Sequence, residues 1–225
     1  MGKTSLNELQ TGLWHWQAPH PAWSPDEPWD QAVSSYAIDD GERLLLFDPI
    51  AVPRQIEELA ASRETAIVLT APWHERDTRA LVERLGVPVF APPPESAEDL
   101  IQKYGITREQ AGDGSPDLAW LRTGDVGVAR WYSAGDRPLA GVEAFPSRDT
   151  NEVVLWVEDN RAVVAGDTLV DFGRGLDIPL EWLREGVTRE QVVDGLRPLL
   201  ALPVEHVLAT HGGPFDRAAL ERALA

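Results

Sequence analysis

The chain has 225 residues, 43% hydrophobic and 25% charged, which gives room for one sizeable domain or two cramped ones and excludes a disordered or fibrous protein. Cysteine is absent, so disulfides, Cys-ligated zinc, iron–sulfur clusters and thiol nucleophiles are excluded. The formal net charge is −17; such a surface repels phosphate backbones and anionic lipid, so neither nucleic acid nor a membrane is an expected partner.

No apolar run is long enough to span a bilayer. The start, Met1-Gly2-Lys3-Thr4-Ser5-Leu6, has no apolar signal core, and Leu6 stands where myristoylation needs Ser or Thr. A cytoplasmic location is therefore expected. Gly2-Lys3-Thr4 imitates the end of a phosphate loop, but the glycines that should precede it are missing.

Prolines 19, 21, 25 and 28 make Gln17 to Asp30 an expected extended loop, studded with tryptophans. Ala32 to Ile38 alternates like a half-buried strand, Asp39-Asp40-Gly41-Glu42 supplies a hairpin turn, and Arg43 to Phe47 returns as an apolar strand. Pro53 opens a helix with Ile56, Leu59 and Ala60 on one face. Thr65 to Thr70 reads as a buried strand, Asp77 to Leu85 as a helix stopped by Gly86, and Val87 to Phe90 as another strand. Ser96 caps a helix that Gly105 ends. Strands and helices in alternation are the pattern of an α/β layer.

The second half is richer in short strands, at Trp131 to Ser133, Val142 to Phe145, Val153 to Val157 and Ala162 to Ala165. Thr188 and Gln191 form a capping box ahead of a helical stripe of Val192, Leu196, Leu199 and Leu200. His206 to Thr210 is a last buried strand, and Gly212-Gly213-Pro214 breaks the chain before a terminal helix near Asp216. With no linker and no repeat, residues 1–225 are expected to form one four-layered domain.

Three polar clusters follow apolar strands, where side chains from different strands converge in open sheets. They are Trp73-His74-Glu75-Arg76-Asp77, Gly166-Asp167-Thr168 and Thr210-His211-Gly212-Gly213. Taken with Asp39-Asp40-Gly41-Glu42, Phe47-Asp48 and Leu69-Thr70, their order resembles the metallo-β-lactamase superfamily, from about Tyr36 to Pro214. The resemblance implies an αββα sandwich with a metal site between its halves. It also implies hydrolysis of esters, thioesters, lactams or phosphodiesters with one or two zinc, iron or manganese ions.

Laid on this chain, the resemblance keeps only part of its ligand set. The family's His-x-His-x-Asp-His places fall on Ala71, Trp73, Glu75 and Arg76, and its next His on Arg148, whereas the bridging Asp is kept as Asp167 and the last His as His211. A shifted set of His74, Asp77, Asp167 and His211 would suit one zinc, iron or manganese ion, with Asp77 and Asp167 catalytic. The competing expectation is a charge substitution in which Arg148 makes a bidentate pair with Asp167 and Arg76 pairs with Asp77 or Glu75. The cleft would then hold no metal and bind a small anionic or aromatic molecule through Arg76, Arg148 and Trp73. His15, His20, Trp14, Trp16 and Trp23 are candidates for the cleft mouth, and Asp171, Phe172 and Arg174 for its wall.

Overall fold

The alternation that makes each strand half-apolar forces it to bury a face, and the chain does so by setting two sheets against each other. The computed structural model describes residues 5–123 and 129–225; the stretch Met1 to Thr4, read above for targeting and phosphate-loop signals, lies outside them. The first sheet holds β1 (Asn7–Gln10), β2 (Leu13–Pro19), β3 (Ala32–Asp39), β4 (Arg43–Phe47), β5 (Glu64–Val68), β6 (Val89–Ala91) and β7 (Ala129–Trp131), in that spatial order. The second runs β12 (Pro214–Asp216), β11 (His206–Ala209), β10 (Ala162–Gly166), β9 (Val154–Val157), β8 (Val142–Phe145).

Inward side chains of both sheets form the central core, among them Ile38, Phe47 and Val68 from one and Leu155, Val164 and Leu208 from the other. The outer face of the first sheet is closed by α1 (Arg54–Ala60) and α2 (Thr78–Leu85) through Ile56, Leu81 and Val82. The outer face of the second is closed by α6 (Arg189–Leu196) and α7 (Arg217–Ala223) through Val192, Leu196 and Leu220. Layers therefore run helix, sheet, sheet, helix, as expected. Between β6 and β7 lie α3 (Ala97–Tyr104), α4 (Arg108–Ala111) and α5 (Ala119–Thr123).

Local signals match closely where capping chemistry is strong. Both Ser96 and Thr188 make reciprocal capping boxes, with Asp99 and Gln191 as partners, and Gly86 and Gly105 end their helices in the left-handed conformation. The structure departs from expectation in adding β1 and β2, in placing the strand expected at Trp131 to Ser133 two residues earlier as β7, and at two further places. The Gln17 to Asp30 loop begins late, because Gln17 to Pro19 still pair with Ala32 to Ser34; a proline at a strand's last residue removes no ladder bond that the sheet needs. And the break at Gly212-Gly213-Pro214 leads into a further short strand, β12, before the terminal helix.

β4 and β5 run parallel, as do β10 and β11. Their carboxyl ends face each other across the two sheets, and backbone bonds from Val153 N–H to the Thr70 carbonyl (2.9 Å) and from Ser34 N–H to the Thr210 carbonyl (2.8 Å) lock that junction. The polar clusters of both halves gather there.

Candidate functional site

Asp48 directly follows β4, and Thr70 lies two residues past β5. Asp48 sits in the left-handed region at φ 45°, which Asp tolerates better than most residues. Its carboxylate accepts from the Thr70 backbone N–H (2.9 Å) and from the Thr70 hydroxyl (2.7 Å). Because that hydroxyl gives its hydrogen to Asp48, it can only accept from His74 Nδ1, 2.9 Å away. Nδ1 therefore carries a proton, and it also lies 3.1 Å from Asp48 Oδ2.

The opposite edge of the same imidazole meets the second sheet. His74 Nε2 is 3.2 Å from Asp167 Oδ1, just past β10, and His211 Nε2, just past β11, is 3.4 Å from the same oxygen. Both imidazole nitrogens thus approach a buried oxygen that has no hydrogen-bond partner. Burial opposes a charge on His74, yet Asp167 and Asp48 outweigh it and raise its pKa from 6.5 to about 9. Burial likewise opposes the Asp167 charge, but His74 and then His211 hold it well below the usual carboxylate range. The buried chain Asp48–His74–Asp167 is thus an imidazolium clamped between two carboxylates.

Arg148 comes from the loop between β8 and β9. Its Nε donates to the Asp167 carbonyl (3.1 Å) and its Nη1 to the Trp182 carbonyl (2.8 Å), while Nη2 lies 3.6 Å from Asp167 Oδ2. Its guanidinium is sandwiched by Trp73 and Trp182, 5.8 and 5.4 Å from the ring centres. Behind it, the almost wholly buried Glu152 accepts from Asp167 N–H (2.7 Å) and lies 3.2 Å from Arg148 Nε. Burial, against the pull of Arg148, raises the Glu152 carboxyl to about 7. Trp73, standing where the resembled family has a histidine ligand, donates its indole N–H to Asp167 Oδ2 at 3.0 Å.

Three expectations need correction. The bidentate Arg148–Asp167 pair is not formed: the guanidinium's best hydrogen bonds go to carbonyls, and His74, not Arg148, makes the closest cationic contact to the Asp167 carboxylate. Arg76 pairs with neither Asp77 nor Glu75; it donates to the carbonyls of Asp48 (2.8 Å) and Ser34 (3.3 Å). Glu75 instead accepts from Leu118 N–H and the Trp120 indole. Asp77 does not join His74 on one face. His74 ends a separate 3₁₀ turn, Arg76 at φ 42° turns the chain, and α2 begins only at Thr78, so their spacing does not lie on one helix. Asp77 Oδ2 accepts from Ala51 N–H at 2.6 Å, away from the cluster.

The remaining members surround a cavity of about 330 Å³ lined by His74, Arg76, Arg148, Asp167 and His211, with His20, Trp29, Trp73 and Trp182. Trp29 and Trp182 wall His211 at 4.6 and 5.4 Å between ring centres. Of the expected mouth residues only His20 reaches it. His15 is buried against Tyr36 and Ser34, and Trp16 is wholly buried in the core with its indole N–H on the Ile50 carbonyl. Phe172 packs on Trp182 and His211, whereas Asp171 ties the backbone of Gly173 to Gly175. Sequence reasoning quoted Asp48 and Thr70 only as motif positions and missed them as partners of His74, and it missed Glu152, Trp29 and Trp182 as site residues. The strand ends Phe47-Asp48 and Leu69-Thr70 were the available signals.

The donor chemistry does not fit the two-metal centre that the resemblance implies. Asp167 and His211 keep their ligand places, but the other five hold an alanine, an indole, two guanidiniums and a glutamate turned to another partner. Among the described residues no group of three or more His, Asp or Glu side chains is arranged to hold an ion. Both nitrogens of His74 are engaged with carboxylate or hydroxyl oxygens.

No protein-family model matches the sequence, and no curated protein matches it. Solved structures do. A metallo-β-lactamase from Erythrobacter litoralis is 14% identical, with a TM-score of 0.63 over 100% of this chain and 96% of that one. A metallo-β-lactamase family protein from Thermus thermophilus is 18% identical, with a TM-score of 0.60 over 96% of this chain and 78% of that one. A flavodiiron core from Synechocystis is 14% identical, with a TM-score of 0.61 over 97% of this chain and 59% of that one. With its two facing sheets, outer helices and full-length overlap, this chain has the metallo-β-lactamase fold.

Proposed function

We propose that the cleft is a metal-free binding site for a small anion carrying an aromatic or apolar group, the dinuclear centre of the fold having been replaced by fixed protein cations. One observation carries this reading: among the lining residues His74, Arg76 and Arg148 are cationic, and Asp167 is the one carboxylate. A protein of net charge −17 that sets two guanidiniums in one cavity, where His74 already balances Asp167, has built a local field for an anion. Arg76 Nε and His211 Nδ1 are buried without hydrogen-bond partners, which is the condition an incoming acceptor or donor relieves. Trp29 and Trp182 supply flat apolar walls for the rest of the ligand.

In this reading Arg76 and Arg148 orient the anion, the indoles exclude water from it, and His74 neutralises Asp167 in the place of a metal. No hydrolytic step is assigned. Free small molecules of the cytoplasm are the natural partners of such a site.

The test pairs tryptophan fluorescence titration against benzoate and inorganic phosphate with elemental analysis of protein prepared without chelator or metal resin. Saturable quenching by either anion is expected, weakened about tenfold or more in Arg76→Gln because a charge-assisted bond is lost. Stoichiometric zinc, iron or manganese, removed by Asp167→Asn together with His211→Ala, would overturn the reading and restore a mononuclear metal hydrolase as the working one.

A further inference from the structure

A second depression adjoins the cationic cavity and differs from it in character. Its volume is about 450 Å³, and Pro28, Val170, Phe172, Ile178, Pro179 and Leu180 make much of its lining apolar. The two spaces have no lining residue in common but meet through neighbours in the chain. Pro28 and Trp29 are consecutive, Glu181 and Trp182 are consecutive, and Phe172 packs edge-on against Trp182 at 5.0 Å. Leu180 leaves 57% of its surface exposed, one of three large apolar side chains so exposed among the described residues. A leucine held open at the rim of a groove costs solubility and gains nothing in packing, since it belongs to no core cluster.

Charge sets the direction in which such a groove is filled. Its lining carries Arg174 beside Asp177 and Glu181, and Asp177 is paired with Arg189 at 3.5 Å, so its charges largely balance, whereas the neighbouring cavity carries the guanidiniums of Arg76 and Arg148. An anionic head goes to the cavity and an uncharged chain goes to the groove. The two volumes together fall within the range of small-molecule sites, roughly 300–1,000 Å³.

We infer that the ligand of this site is an elongated amphipathic monoanion, with its acid head beside Arg76 and Arg148 and its hydrocarbon chain running past Trp182 into the groove under Leu180. This rests on the anion-binding reading above and adds the ligand's class to it. The chain buries apolar surface against Ile178, Val170 and Phe172, so binding strengthens with chain length until the groove is full.

Isothermal titration of the full-length protein with butanoate, hexanoate, octanoate and decanoate, each as a monomer in solution, tests this. The expected Kd falls by about two- to fourfold per added methylene, the value set by transfer of a CH₂ from water to an apolar wall. In Leu180→Ser, an exposed position where folding is not at stake, the ratio of butanoate to decanoate Kd shrinks. Decylammonium, with the same tail and the opposite head, binds at least tenfold more weakly than decanoate. Alkanoate binding with no dependence on chain length, or decylammonium binding as tight as decanoate, overturns the groove assignment and leaves the anion site standing. If neither the alkanoates nor benzoate nor phosphate bind, the anion-binding reading itself falls and takes the groove with it.

Discussion

His74 is the residue on which the site turns. A lone imidazole in so dry a place would be neutral, because burial alone disfavours its charge. Two carboxylates on opposite edges reverse that balance, and its pKa rises to about 9. In an NMR pH titration of imidazole-labelled protein, His74 is expected to stay protonated through neutrality and to titrate near 9. A midpoint at or below 6.5, the unperturbed value, would sink the charge-replacement argument. Asp48→Asn removes one clamp: the His74 midpoint should fall, and stability should drop by about 3 kcal/mol, the usual order for breaking a buried ion pair from one side. His74, Asp167, His211, Arg76 and Trp73 were legible in the sequence, because polar residues placed directly after apolar strands have few structural uses other than convergence, and Arg148 was reached only through the family resemblance. Glu152 was not, since an acid in a loop ahead of a strand looks like solvated surface until the fold buries it to 1% exposure behind Arg148. Asp77 was misread for a related reason: residue spacing implies a shared face only if both residues belong to one helix, and no residue type nearby signals that Arg76 turns the chain at φ 42° between them.

The elements that carry these residues meet closely at the end of β10. Gly166 has φ 56°, and a Cβ there would stand 2.9 Å from both Glu152 Oε1 and Thr70 Oγ1. Those two atoms anchor the Asp167 backbone and His74 respectively. Neither can retreat without losing a bond within the buried network. Gly166→Ala is therefore expected to cost about 2 kcal/mol or more, combining left-handed strain with the clash. The measurement is the urea midpoint, and a change of a few tenths of a kcal/mol would show that the junction between the sheets is looser than these distances say. At α6, by contrast, the effect is ordinary: Thr188→Ala loses the side-chain bond to Gln191 N–H and should cost about 1 kcal/mol without touching the site. Helix caps, glycine stops and the hairpin at Asp39 to Glu42 were readable because each is enforced within four residues. β1, β2 and β12 were not, because what makes them strands is pairing, β2 with the whole length of β3 and β12 with β11. Pairing partners are not written in a local pattern of tryptophan, histidine and proline.

At the scale of the molecule, two kinds of charge act on stability, and they separate by their response to salt. The site's contribution follows from the direction in which each pKa moves on folding. His74 is raised from 6.5 to about 9, so the stability it brings is complete below 6.5 and is lost as pH climbs through 9. Glu152 is raised from 4.5 to about 7, so the folded state holds its proton longer and stability declines between those values. His15, lowered by burial from 6.5 to about 4, works the other way and adds stability as pH rises through that window. Below 6.5 the last two oppose each other. From 6.5 to 9 His74 dominates, and the fall in unfolding free energy should approach about 3 kcal/mol, at roughly 1.4 kcal/mol for each tenfold change in proton affinity. The second kind is diffuse: a net charge of −17 repels itself, increasingly so as the histidines lose protons. Salt screens exposed charges within about 10 Å at 0.1 M but reaches a buried pair far less. Urea unfolding across this pH range should therefore show a decline that persists at high salt, superimposed on a salt-dependent gain in stability that is present at every pH and grows as the histidines lose protons. In His74→Gln the persistent part should vanish and the salt-dependent gain remain. A decline that high salt abolishes in the unmodified protein would mean that the surface, not the clamp between Asp48 and Asp167, governs the molecule's response to alkali.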